Sequence, residues 1–179
     1  MSFEELVKMV PPPLSPVGAG TPDGWREVEF LLGITLPQDY KQFINTYGTV
    51  AFYNFFAPVS PFDNGIKVIP DNNLIQWVSE GIETYKMVQE GFPEECHYPT
   101  FPEPGGLLPF AGDEHGGTHF WLTSGEPDEW IIVLGRSDFV DFEEHQTSLT
   151  GFLVGWLSGE IVPRLFPKNI LNRNVPIIR

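Results

Sequence analysis

Apolar side chains recur at helical spacing in five stretches of the chain. Phe3, Leu6, Val7 and Val10 share one face behind Ser2 and Glu5, a capping-box pair, and three prolines at 11–13 end the run. A second helix starts at Thr21-Pro22-Asp23, has Trp25, Val28, Leu31 and Leu32 as its apolar face, and stops at Gly33. A third follows Leu36-Pro37-Gln38-Asp39, with Tyr40, Phe43, Ile44 and Tyr47 on its apolar face and Gly48 closing it. A fourth starts near Asp71 or Asn72 and turns Leu74, Trp77, Val78, Tyr85 and Val88 inward, with Gly81 a weak point. The fifth begins near Ser148 and presents Leu149, Phe152, Leu153, Trp156 and Leu157.

Between the third and fifth helices the period shortens to that of strands. Residues 51–56 and 65–69 read as two short strands, and 107–110, 118–122 and 130–134 as three more joined by polar, glycine-bearing links. Residues 139–142 add a candidate edge strand, and the proline-bearing stretch 91–106 reads as a loop. Consecutive strands with turn-like links predict an antiparallel meander, and helices at both ends of the strand run predict one α+β domain.

Composition narrows the function. Twenty-four acids against ten Lys and Arg leave a net charge of −14, which disfavours direct contact with nucleic acid or anionic lipid and favours a basic partner. The charge is uneven: residues 113–144 hold nine acids and one base, Arg136. Asp113, Glu114, Asp128, Glu129, Asp138, Asp141, Glu143 and Glu144 are therefore the candidate partner-binding residues. A lone cysteine, Cys96, is flanked by Glu94, Glu95 and His97, surroundings that disfavour a reactive thiolate. No basic and apolar leader opens the chain and no run reaches bilayer length, so a cytoplasmic location is expected.

One cluster has the makings of chemistry. Asp113, Glu114, His115 and His119 lie within seven residues and could hold a divalent metal or supply a general base. Gly116-Gly117 interrupts any helical face between the imidazoles, and the simpler reading is a turn whose glycines supply positive-φ positions. Neither a nucleophile elbow nor a phosphate loop is present. The expectation is a non-enzyme without a cofactor. Trp25, Trp77 and Trp156 read as core, and so do Trp121 and Trp130, although one sheet face could leave either of the last two as an exposed anchor.

The order of these residues resembles the SMI1/KNR4 (SUKH) superfamily. The resemblance rests on three segments: Trp25, Glu29, Leu32-Gly33, Leu36-Pro37-Gln38-Asp39-Tyr40, Phe43 and Tyr47-Gly48; then Leu108-Pro109-Phe110-Ala111-Gly112-Asp113, Gly116-Gly117 and Phe120-Trp121; then Ser148, Phe152-Leu153 and Trp156-Leu157. It implies a curved, mainly antiparallel sheet flanked by helices over residues 21–160. An N-terminal helix and Pro-rich connection (1–20) would precede that domain, and a tail (161–179) would follow it. For bacterial members it implies immunity proteins that neutralise toxins, many of them nucleases; for eukaryotic members it implies regulatory or scaffold proteins. The leading expectation is stoichiometric binding of a basic cognate toxin domain, ahead of a regulatory scaffold and, third, a metal-dependent hydrolase.

Overall fold

The computed structural model describes residues 2–63, 65–66, 69–70, 73–172 and 177–178. Most helices begin where the sequence supplies an acceptor for their first free N–H groups. Ser2 and Glu5 close a capping box on α1 (Phe3–Met9). The Thr21 hydroxyl accepts from Gly24 at 3.2 Å to open α2 (Pro22–Leu32), and Gly33 ends it at φ 69°. Asn73 caps α4 (Leu74–Gly91) and Ser148 caps α5 (Leu149–Ser158). The exception is α3 (Gln38–Tyr47), whose N-cap is Pro37 and makes no side-chain cap. The Asp128 carboxylate reaches it instead and accepts from the Gln38 amide at 2.6 Å.

Among the described residues nine strands form two sheets. They are β1 (Ala51–Phe52), β2 (Phe56–Pro58), β3 (Gly65–Ile66), β4 (Ile69–Pro70), β5 (Leu107–Asp113), β6 (Thr118–Leu122), β7 (Ile131–Gly135), β8 (Phe142–His145) and β9 (Ile177–Ile178). Seven make an open sheet in the order β8-β7-β6-β5-β2-β1-β9, with every described neighbour pair antiparallel, and β3 pairs with β4 alone. The register shifts between Pro109 and Ala111 on β5, a bulge that bends the central strand.

Strand alternation sorts the side chains onto two faces. Leu108, Trp121, Ile132 and Leu134 join the principal core with residues of α1, α2, α3 and α5. Leu107, Phe120 and Val133 face the other way and pack with Tyr85 of α4, Cys96 and Phe139. With both faces covered, all seven residues of β5 are buried. The arrangement is α+β. The principal core also takes in Leu6 and Val10 ahead of residue 21, and Phe166 and Ile170 after residue 160. Trp121 and Trp130 are both buried, so neither is an exposed anchor.

Several elements differ from the sequence expectation, each for a local reason. The single strand over 51–56 is a hairpin, because Tyr53 and Asn54 both take φ 53° and turn the chain back. The stretch 65–69 is likewise a pair, β3 and β4. The edge strand lies at Phe142–His145, not 139–142: Phe139 sits at φ 60° in the preceding turn, which sends its ring into the second core cluster. The fourth helix has Asn73 as its cap, and Asp71 and Asn72 lie outside the described residues. Gly81, the weak point of α4, marks a close approach: a methyl there would stand 2.7 Å from Cγ of Pro109.

That contact sets opposite expectations for two glycines of one helix. Gly81→Ala should destabilise the protein by about 1–3 kcal/mol through overpacking against a ring fixed in the sheet. Gly91→Ala, where nothing lies within 4 Å, should be neutral or stabilise by up to about 1 kcal/mol. Urea unfolding midpoints of the two variants measure the difference.

Candidate functional site

The acids of residues 113–144 are continuous in sequence but separate in space. The β5–β6 turn and the β7–β8 turn lie at one end of the meander, and the β6–β7 link lies at the other. Asp113, Glu114, Asp138 and Asp141 therefore gather at the first end, and Asp128 and Glu129 at the second, about one strand length (~17 Å) away. Glu143 and Glu144 lie on β8.

At the first end Asp113 holds the turn. Its Oδ1 accepts from the amides of His115 at 2.7 Å and Gly117 at 3.0 Å, while Oδ2 faces Nε2 of the fully buried His119 at 3.3 Å. Burial works to raise its pKa, but the His119 contact and the two amides outweigh that and hold the carboxyl below its usual range. The two glycines act differently from one another. Gly116 takes φ 81°, as expected, whereas Gly117 is needed for space, since a methyl there would lie 2.4 Å from Asp113 Oδ2. Asp113 is buried, so its carboxylate serves the turn. The His119 ring packs against Phe56 and Phe166, and His115 stands edge-on to Phe55. Among the described residues no three His, Cys, Asp or Glu side chains come together as a metal-binding group.

The adjoining turn is an ion network. Arg136 pairs with Asp138 and, at 3.2 Å, with Asp141. Arg164 grips both oxygens of Asp141, at 3.0 and 2.7 Å. The guanidinium hydrogen bonds lower the pKa of both aspartates. Glu143 accepts from the amides of Arg164 and Leu165, each at 3.0 Å. Glu144 accepts from the Tyr98 hydroxyl at 2.7 Å and so fixes the 92–106 loop to β8. These carboxylates fasten two other segments of the chain to the sheet edge. No local sequence signal announces that role for Arg164 or Tyr98.

The second end is built otherwise. Residues 127–129 form a short 3-10 turn, in which Glu129 Oε2 accepts from the Glu126 amide at 3.1 Å. Asp128 bonds the start of α3, and Glu126 is exposed. Cys96 lies in the second core cluster, and burial, ahead of other causes, pushes its thiol pKa up. No described helix is long and apolar enough to cross a membrane.

The quoted motif residues prove to be structural. Glu29 Oε1 accepts from the Leu36 amide at 2.9 Å and from Lys41 Nζ at 2.8 Å. Trp25 Nε1 donates to Asn45 at 2.9 Å, and the Tyr40 hydroxyl donates to the Val59 carbonyl at 2.5 Å. Asp39 Oδ2 accepts from the Thr150 amide at 2.9 Å, in the first turn of α5. Compared with known proteins, residues 22–153 match the family model SUKH_6, described as SMI1-KNR4 cell-wall. No curated protein matches the chain.

A lowered carboxyl pKa stabilises the fold above the group's unfolded value and is lost as pH falls through the folded one. Asp113→Asn keeps an oxygen for the turn amides but removes the charge facing His119. The variant should be less stable than wild type at pH 7, with a shallower loss of stability as pH falls below about 4. Urea titrations at stepped pH read both effects.

Proposed function

Because the chain belongs to the SMI1/KNR4 (SUKH) family, we propose that it is an immunity protein that binds and neutralises a cognate toxin stoichiometrically. The observation that carries the reading is the net charge of −14, which would draw in a basic toxin domain and speed the encounter. If the toxin is a nuclease, exposed carboxylates compete for the surface that binds phosphate. Inhibition of this kind works by occupancy and requires neither catalysis nor a cofactor. The partner is a protein, with no direct nucleic-acid or membrane contact, and the complex forms in the cytoplasm. The cell-wall wording of the family description favours one other reading, a regulatory scaffold of the same fold.

Co-expression with the product of the neighbouring gene tests the proposal. Growth should be restored and the two proteins should co-purify in a one-to-one complex whose association slows as salt rises. Neutralising the exposed Glu129, Asp138 and Glu144 to Gln, Asn and Gln should lower the association rate about tenfold at low salt while leaving the bound complex one-to-one. Unrelieved toxicity with no complex would refute the immunity role, and co-purification with cell-wall machinery instead would favour the scaffold.

A further inference from the structure

Phe30 and Leu31, in the last turn of α2, are 84% and 61% exposed. Immediately after them the chain turns at Gly33 and lines a cavity of about 410 Å3 with Ile34, Thr35 and Leu36; Pro127, Asp128 and Trp130 line it from the other side. The buried parts are apolar, with Leu36 1% and Trp130 7% exposed. Trp130 is held in place by its indole N–H, which donates to the Gly125 carbonyl at 3.3 Å.

Of the exposed residues at the cavity, Thr35 and Gln38 are neutral and Glu126 and Asp128 are acidic. Asp128 gives one oxygen to the Gln38 amide, and its other oxygen accepts no hydrogen bond from the described residues. Lys41 of α3 is already bound by Glu29. At the first end of the sheet, by contrast, Arg136 and Arg164 neutralise the aspartates.

We propose that this pocket receives an arginine side chain of a protein partner. The walls fit the apolar stem of the side chain, the carboxylates of Glu126 and Asp128 fit its head, and Phe30 and Leu31 meet apolar residues flanking it. The inference rests on the protein-binding reading above and places its interface at the α2 and 126–130 end of the molecule.

The test uses the full, nitrogen-15-labelled chain and two probes, N-acetyl-leucyl-arginyl-leucine amide and its glutamyl counterpart. The arginyl peptide should shift the Trp130 indole and the amides of residues 30–38 and 126–130, and the glutamyl peptide should not. Thr35→Arg, which sets a cation in an exposed position of the cavity wall, should weaken binding by about tenfold. Phe30→Ala should weaken it without moving the unfolding midpoint. Shifts confined to other residues, equal shifts with both peptides, or no shifts would overturn the proposal. So would a concentration-dependent dimer that Phe30→Ala dissolves, since the occupant would then be a second copy. Toxin protection that persists without shifts in this pocket removes the site and leaves the immunity role standing. Shifts here without protection do the reverse.

Discussion

The Asp39 carboxylate, accepting from the Thr150 amide at 2.9 Å, joins the start of α3 to the start of α5 across 111 residues of chain. Helix ends carry N–H groups that lose water on packing, and leaving one unpaired costs more than a paired bond gains. Since α3 has Pro37 as its N-cap, it depends in turn on Asp128 from the β6–β7 link. Asp128 thus holds the helix that carries Asp39, and Asp39 holds the helix whose Phe152 and Trp156 pack on Phe56. Tyr40, also on α3, stands edge-on to Trp121 at 4.9 Å, and Trp121 stacks on Phe110 at 4.3 Å. The hydrogen bonds fix where the helices start, and the aromatic contacts fix how deeply they seat.

The same use of acids recurs at the sheet edge. Glu143 accepts two backbone amides of the 164–165 segment, and Asp141 takes the Arg164 guanidinium in a bidentate pair, a stronger and more directional contact than a single surface ion pair. A charge of −14 therefore divides into carboxylates that complete the fold and carboxylates left to solvent. Asp113, Asp141 and Glu143 belong to the first group. Glu126 belongs to the second, and Asp128 to both.

Much of this was legible in the sequence. Helical spacing locates the five α-helices of the described residues, and Thr21, Ser2 and Ser148 announce their caps within four residues, because capping is local. The β6 bounds match the alternation, since the strand is paired along both edges, with β5 and with β7. The hairpin at Tyr53 and Asn54 was hidden, because neither residue is the glycine that usually marks a left-handed turn. Phe139 was misplaced in a strand for the same reason. The acidic block was read as one surface because sequence distance stands in poorly for space in a meander: each turn reverses direction, so alternate links fall at opposite ends. Bonds such as Asp128 to Gln38 leave no trace in either segment, since an aspartate on a loop looks the same whether it meets water or a helix end.

Amide hydrogen exchange read residue by residue addresses the structural role of these acids most directly. The amides of Gln38, Thr150, Arg164 and Leu165 each donate to a carboxylate distant in sequence. They should exchange far more slowly than the amides of exposed loop residues such as Leu14 and Val162, and approach the protection of the strand amides around them. Exchange at all four positions as fast as in an unfolded chain would mean that the carboxylates face water, and that acidity does not hold this fold together.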